Sequence, residues 1–263
     1  MLVCPKCRKI LNKYHMTYRC ENGHHFDIAK RGYVHLLLGN RKQTGDNKDM
    51  VKARSHFLHN NFYQPLAHQV MMILASLQPK KIVDAGCGEG YYTNQIAKAL
   101  PDTDIYAFDL SKYAVHEACK SNQKVLYAVC SIADLPLESN SMDVILSIFA
   151  PIQDKEFHRV IKEDGYFVKV APGPKHLYEM KQVLYTNVYD NPIQNNYEGF
   201  ELQRVEVIDY DIELFTKENI QALFMMTPYY WKSPIEGSKK LASLTYLKTR
   251  VQFQIELYRR VVK

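Results

Sequence analysis

The sequence predicts an α/β protein: a Rossmann-like, mostly parallel, doubly wound sheet preceded by a small Cys/His-rich module. Three observations lead there. From Lys80 onward short apolar runs alternate with helical patterns, as in successive βαβ units. The first of those runs ends in a cluster of glycines, the place where open α/β sheets bind their ligands. Three of the six cysteines fall within the first 20 residues, outside the alternating region.

The elements follow in order. Residues 1–30 are short, polar and too small for an apolar core of their own. Residues 31–60 contain Gly32, Gly39, Asn40, Gly45, Asp46 and Asn47, which read as loop or linker. A helical period starts near Asp49 with Met50, Ala53, Phe57 and Leu58, and Pro65 opens a second helix through Leu77. Strands are predicted over Lys81–Ala85, Asp104–Leu110, Val125–Cys130, Met142–Phe149 and Gly165–Ala171. Helices over Tyr91–Leu100, Lys112–Asn122 and Asp154–Ile161 separate them. Beyond Pro172 the pattern predicts helices over Pro174–Val188, Lys217–Met226 and Lys239–Leu247. One or two strands are expected over Phe200–Phe215, and a closing strand over Thr249–Tyr258, where Val251, Phe253, Ile255 and Leu257 alternate. The division expected is a metal-binding module at 1–35, a linker and helical segment at 36–79, and the α/β domain at 80–263.

Composition excludes several classes. With 46% hydrophobic and 24% charged residues the chain is an ordinary globular one, not a disordered, collagenous or coiled-coil chain. No apolar run approaches the ~18 residues of a membrane helix. The N-terminus lacks a signal-peptide layout, so a cytoplasmic protein with no membrane partner is expected. The net charge of +6 is uneven: 12 Lys/Arg stand against 4 Asp/Glu in residues 1–60, and 22 against 24 in the rest. A basic front on a near-neutral body suits an anionic partner, or a solvated Lys-rich surface.

The front also carries ligand chemistry. Cys4-x-x-Cys7 and, after twelve residues, Cys20-x-x-x-His24 place two pairs of soft donors at zinc-ligand spacing. Three thiolates and one imidazole make a closed, structural site; His25 is the rival fourth ligand. Cations (Lys6, Arg8, Lys9, Lys13, Arg19, Lys30, Arg31) are interleaved with Tyr14, Tyr18, Phe26 and Tyr33, a combination that serves RNA phosphates and bases, or else a small aromatic core.

The glycine cluster reads Val83-Asp84-Ala85-Gly86-Cys87-Gly88-Glu89-Gly90. Gly86, Gly88 and Gly90 let the backbone pass close to a ligand. The spacing differs from the Gly-x-Gly-x-x-Gly of dinucleotide binders, and the carboxylate of Asp84 would repel a pyrophosphate and attract an aminium group. Asp109, ending the second strand, can bind both ribose hydroxyls. Asp134, after the third, is positioned to meet an adenine amino group. Asp143 reads as a support for the fourth strand, not as a ligand.

This series resembles the class I S-adenosylmethionine-dependent methyltransferases over about residues 80–172. Several further segments complete a wider likeness: Gly45-Asp46, Met50, Ala53-Arg54, Phe57-Leu58, Tyr63-Gln64-Pro65-Leu66, Ala150-Pro151, Pro172-Gly173-Pro174-x-His176-Leu177 and Met226-Thr227-Pro228. With the Cys/His module they resemble the bacterial 23S ribosomal RNA guanine-N1 methyltransferases over nearly the whole chain. The resemblance implies structural zinc on Cys4, Cys7, Cys20 and His24. It implies S-adenosylmethionine contacts at Gly88 and Glu89, with Tyr63 and His176 flanking the methionine end. It also implies a 23S RNA hairpin as substrate, with the target base near Phe149-Ala150-Pro151. A homodimer would widen the RNA cleft, though nothing in the chain demands one. No catalytic base is assigned; Asp154 is either a base or guanine acceptor, or a helix N-terminal residue. Met226–Trp231 is either an RNA-stacking cluster or a core one. The alternative functions are a methyltransferase for a small-molecule acceptor and a non-catalytic zinc-containing RNA-binding protein. Cofactor binding and salt-dependent RNA binding discriminate among them.

Overall fold

A computed structural model describes residues 1–39, 45–121 and 124–261. Asn40 of the predicted linker and Asn122 at the predicted end of a helix lie outside these. The chain opens with a three-stranded antiparallel sheet: β1 (Asn12–Tyr14), β2 (Thr17–Arg19) and β3 (His25–Asp27). Then follow β4 (Val34–His35), α1 (Lys48–His59), α2 (Gln64–Leu77), β5 (Lys81–Ala85), α3 (Tyr91–Ala99), β6 (Asp104–Asp109), α4 (Lys112–Ala118) and β7 (Leu126–Val129). The second half runs β8 (Met142–Ile148), α5 (Asp154–Val160), β9 (Ile161–Pro172), α6 (Tyr178–Leu184), β10 (Phe200–Leu214), α7 (Lys217–Met225), α8 (Tyr229–Lys232), α9 (Ile235–Ser243) and β11 (Leu247–Arg260). Among the described residues no helix is long and apolar enough to cross a membrane.

Strands β4 to β11 form one sheet in the order β10-β11-β9-β8-β5-β6-β7-β4. Every neighbouring pair from β9 to β4 is parallel, and only β11 and β10 join antiparallel. The order reverses between β5 and β8, which opens a crevice at the carboxyl ends of those strands.

The sheet separates two apolar clusters, and the period-2 rule sorts each strand between them. In β5, Ile82 enters one cluster and Val83 the other; in β8, Val144, Leu146 and Ile148 enter the first and Ile145 the second, while Met142 joins the second across a register shift between Met142 and Val144. The first face is covered by α1, α2, α3, α6 and α7. The second is covered by α5 and by the N-terminal module, which contributes Leu2, Cys4, Leu11 and Cys20. The module, too small for a core of its own, thus shares that of the main sheet. β4 at its end extends the sheet itself, pairing Val34 with Ala128.

Three helices differ from their predicted bounds by several residues; the one expected over Lys112–Asn122 ends at Ala118, with Cys119 as its C-cap. The helix expected over Pro174–Val188 is confined to Tyr178–Leu184, because Leu177 takes a left-handed backbone (φ +56°) and Tyr185 is already extended. The helix expected over Lys239–Leu247 runs over Ile235–Ser243: Pro234 caps its start, Leu244 is extended, and Leu247 belongs to β11. In β11 the predicted alternation holds for Val251, Phe253 and Ile255, with Leu257 half-buried on the same cluster.

The opposite side of β11 buries a charge pair. Glu256 is fully buried, and its two oxygens accept from Lys169 Nζ of β9 at 3.0 and 2.9 Å; Gln194 O accepts a third bond at 2.5 Å. Removing one partner leaves an uncompensated charge inside, so Glu256→Leu is expected to cost ~3–5 kcal/mol in urea denaturation. The Lys169→Met/Glu256→Leu double variant is expected to recover most of that loss.

Candidate functional site

A cavity of about 910 Å³ opens at the carboxyl ends of β5, β6, β8 and β9. Its floor is the turn from β5 to α3. Gly86 N and Cys87 N both donate to Phe108 O of β6, at 2.8 and 3.0 Å. Gly88 N donates to Asp109 Oδ2 at 3.0 Å, while Asp109 Oδ1 accepts from Ser111 N at 2.7 Å. These three N–H groups are therefore directed into the neighbouring strand and not toward a phosphate. A dinucleotide reading, which needs such groups free, loses its main anchor.

The geometry explains two of the glycines. Gly86 has φ +92°, and a Cβ there would stand 2.5 Å from Ala150 Cβ, so it lets the loops after β5 and β8 touch. Gly88 has φ +55°, and a Cβ there would meet only Arg54 Nη1, at 3.8 Å; its face is open to the cavity.

The glycine-loop end is strongly acidic. Asp84 is buried and accepts from Thr93 Oγ1 at 2.6 Å. Burial raises its carboxyl to about 7 against that hydrogen bond, aided by the charges of Asp109 and Glu89. Glu89 and Asp109 are also raised by burial. Among the described residues nothing donates to the buried Glu89 Oε1, an orphan acceptor in a residue that lines the cavity. An ion pair of Arg54 with Asp46 closes this end from the α1 side, and Ser111 Oγ donates to Asp46 O at 2.6 Å. The ensemble suits a ligand that is cationic and rich in hydrogen-bond donors.

Opposite stand Tyr63, which is buried against Phe253 (centroids 4.7 Å apart), and His176. His176 Nδ1 accepts from Gln252 N at 3.2 Å. Burial and Lys181 lower this imidazole to about 3, so it is neutral with its proton on Nε2. At the mouth are Phe149, 42% exposed with φ +55°, and Trp231, 66% exposed. Trp231 is thus no core residue: the Met226–Trp231 segment is divided, with Met226 and Tyr229 packed half-buried on the first core cluster, Thr227 buried, and Tyr230 and Trp231 exposed at the rim.

Of the sequence-expected residues, Tyr63, Asp84, Gly86, Gly88, Glu89, Asp109 and His176 line the one cavity. Gly90 does not: it caps α3 at φ +83°, where a Cβ would stand 2.7 Å from Ala118 Cβ. Asp134 does not either. Its exposed carboxylate pairs with Arg8 Nη1 at 3.0 Å, and the wall at that strand end is made by Ser131 and Ile132. In this structure Asp134 thus forms an ion pair with the N-terminal module and stands outside the cavity lining. Asp154 accepts from Lys155 N at 2.9 Å at the start of α5, away from the cavity, as a helix N-terminal residue does. Asp143 accepts from Lys80 N and Lys81 N at 2.9 and 2.7 Å, supporting β5 and β8 as expected. Asp46 and Arg54 had no assigned role in the sequence, although Gly45-Asp46 and Ala53-Arg54 stood among the segments that carry the resemblance.

The second cluster is in the module. One donor atom from each of Cys4, Cys7, Cys20 and His24 lies within 4.8 Å of the others. Cys7 Sγ–Cys20 Sγ is 3.6 Å, and His24 Nδ1 is 3.5 Å from both Cys4 Sγ and Cys20 Sγ. A zinc tetrahedron with ~2.3 Å Zn–S bonds has edges of roughly 3.8 Å, slightly shorter to nitrogen, so the four fit one ion. The Lys9 backbone N–H brings the Cys7 thiol down to about 6, favouring the thiolate a metal needs. His25 is exposed on β3 and takes no part. Phe26 packs on the second core cluster, whereas Tyr14 is 55% exposed.

Fold and sites together define an S-adenosylmethionine-dependent methyltransferase carrying an N-terminal zinc ribbon. Family profiles agree: one described as RlmA, N-terminal, a zinc ribbon, matches residues 2–44, and one described as a methyltransferase domain matches residues 82–165. A Streptomyces fradiae protein named 23S rRNA (guanine(748)-N(1))-methyltransferase is 34% identical over 188 residues, covering 70% of this chain and 67% of its own. YxjB of Bacillus subtilis (strain 168) is 32% identical over 255 residues, 89% of this chain and 88% of its own. The chain belongs to the 23S rRNA (guanine-N1)-methyltransferase family. The solved YcgJ protein of Bacillus subtilis, with a TM-score of 0.53 at 12% identity over 74% of this chain and 100% of its own, shares this fold.

The two glycines separate folding from ligand access. Gly86→Ala is expected to cost ~1–3 kcal/mol in chemical denaturation, through its backbone and its contact with Ala150. Gly88→Ala is expected to cost ~1–2 kcal/mol for the left-handed backbone alone, while projecting a methyl group into the cavity and weakening whatever binds there.

Proposed function

We propose that the protein methylates N1 of a guanine in a hairpin of 23S ribosomal RNA, using S-adenosylmethionine. The observation that carries this reading is one cavity with an acidic glycine-loop end and an exposed aromatic mouth, in a chain whose ribbon matches the RlmA N-terminal profile and whose core matches a methyltransferase domain. A ribosomal target also favours a cytoplasmic setting.

The residues divide the work. Asp109 receives the ribose hydroxyls, and the adenine lies against Leu110 and Ile132. Tyr63, His176 and Glu89 surround the methionine end, where the orphan oxygen of Glu89 accepts from the ammonium. Gly86 and Gly88 keep the floor clear; Gly90 acts indirectly, through the packing of α3. Cys4, Cys7, Cys20 and His24 hold a structural zinc. The bound cofactor supplies an already activated methyl group, so the protein contributes alignment and electrostatics.

Guanine N1 carries a proton and pairs with cytosine, so the base must arrive unpaired or flipped. Phe149 and Trp231 offer it aromatic faces at the mouth. His176 is not the base that takes the N1 proton: its Nδ1 lone pair is occupied by Gln252 N–H, and Nε2 carries the proton. In this reading it is a donor. The exposed Lys6, Lys13, Arg19, Lys30 and Arg31 of the ribbon serve the RNA backbone, whereas Arg8 and Lys9 are paired with Asp134 and Glu21.

Incubation with labelled S-adenosylmethionine and unmodified 23S RNA, followed by nucleoside digestion, is expected to place the label in 1-methylguanosine. Cofactor binding without label in RNA would refute the ribosomal reading and direct attention to small-molecule acceptors. A pH dependence is also expected. Asp84 titrates near 7 in the free protein. Below that pH it is neutral and attracts the sulfonium cation less. Affinity for the cofactor therefore rises as pH rises through about 7, and calorimetry of Asp84→Asn should show a flat profile.

A further inference from the structure

We propose that the zinc knuckle is a supporting wall of the cofactor site, with Arg8 as its positioning residue, so that metal occupancy at the ribbon sets the affinity of the cavity for S-adenosylmethionine. The proposal rests on the cofactor reading above.

The loop that follows β7 has two sides. Ser131 and Ile132 face the cavity, and Cys130 N donates to Asp109 O at 3.1 Å, so the start of the loop adjoins the ribose-binding carboxylate. Its next residues are gripped by the N-terminal module. Arg8 Nη1 donates to Asp134 Oδ1 at 3.0 Å and to Leu135 O at 3.2 Å. Val3 N donates to Pro136 O at 2.8 Å, and Leu2 pairs with Leu137 in an antiparallel bridge.

Arg8 belongs to the metal-binding turn. Its N–H donates to Cys4 O at 2.8 Å, Cys4 N donates to Lys9 O at 2.8 Å, and its own backbone is left-handed at φ +60°. A bulky residue holds that conformation only where its surroundings impose it. With zinc bound, the turn is fixed and the guanidinium points at the loop. Without zinc, the crowded sulfurs have no common partner and the turn relaxes, taking Arg8 and residues 2–3 with it.

The loop does not then unfold. From the other side Glu156 Oε1 accepts from Leu135 N at 2.6 Å, and Arg159 Nη2 donates to Leu135 O at 3.1 Å. Loss of the knuckle shifts the wall without dismantling it, so the coupling is moderate. It also gives Asp134 a role the cavity lining does not: it acts on the cofactor through Arg8.

The test is isothermal calorimetry of S-adenosylmethionine binding to the full chain, zinc-loaded and after chelation. Stripping the metal is expected to weaken binding about tenfold. Arg8→Ala and Asp134→Ala, checked for retained zinc, are each expected to weaken it about threefold, the scale of an exposed ion pair. The double variant is expected to bind no worse than Arg8→Ala, and Arg8→Lys to restore part of the loss. By reciprocity, saturating cofactor must raise zinc affinity by the factor that zinc raises cofactor affinity. Unchanged Kd values after stripping and in Arg8→Ala overturn the proposal. So does a fall in stoichiometry at constant Kd, which marks a merely structural role. Additive losses in the double variant overturn the relay and give Asp134 a direct contact. Absence of binding to the zinc-loaded wild-type protein overturns the cofactor reading, and this proposal with it.

Discussion

Three backbone N–H groups of the glycine loop are committed before any ligand arrives: those of Gly86 and Cys87 to Phe108 O, and that of Gly88 to the Asp109 carboxylate. The rest of the site depends on this constraint. It draws the β5 turn onto the end of β6 and orients Asp109. It leaves the acidic side chains of Asp84 and Glu89, and not backbone donors, to set the chemistry of the floor. The same fold with those amides free would suit an anion; here the electrostatics select a cation.

The sheet acts as a partition between two tasks. One face, under α1, α2, α6 and α7, carries Tyr63, Arg54 and His176 to the cavity. The other face is roofed partly by the metal-binding module, whose apolar residues complete a core that the main domain leaves open. Burial therefore does what a linker between two independent units could not: it holds the ribbon at a fixed place beside the loop after β7.

Much of this was legible in the sequence because it rests on local signals. Continuous apolar runs marked β5 and β8, strict alternation marked β11, and donor spacing marked the ribbon. Six of the seven cofactor candidates converge on one cavity because each sits at a strand end or on a motif next to one; Tyr63 reaches it from the start of α2. What was not legible depends on distant partners. Asp134 has the right position after its strand, but Arg8, 126 residues earlier in the chain, takes its carboxylate. Asp46 reads as linker and Arg54 has no role of its own in the sequence, because nothing local indicates that α1 lies across the glycine loop. The exposure of Trp231 was undecided because an aromatic cluster has the same composition in a core and on a rim. The helix over Ile235–Ser243 starts behind Pro234, a local signal that the expected Lys239–Leu247 span does not include.

The sheet has two unequal edges. β4 is two residues long and shielded by the ribbon, whereas β10 offers fifteen residues of outer-edge backbone with Val205 and Val207 40% and 60% exposed. Such an edge is a template for intermolecular strand pairing. Along it stand Glu201, Glu206, Asp209, Asp211 and Glu213 against the single cation Arg204. Asp209 and Asp211 pair inward with Arg250 and Lys248 of β11, which pins the register of the last two strands. Another molecule approaching edge to edge meets charge of its own sign. The basic front of this chain and its acidic far edge thus make it a polar object in the electrical sense, attractive to polyanions at one end and resistant to stacking on itself at the other.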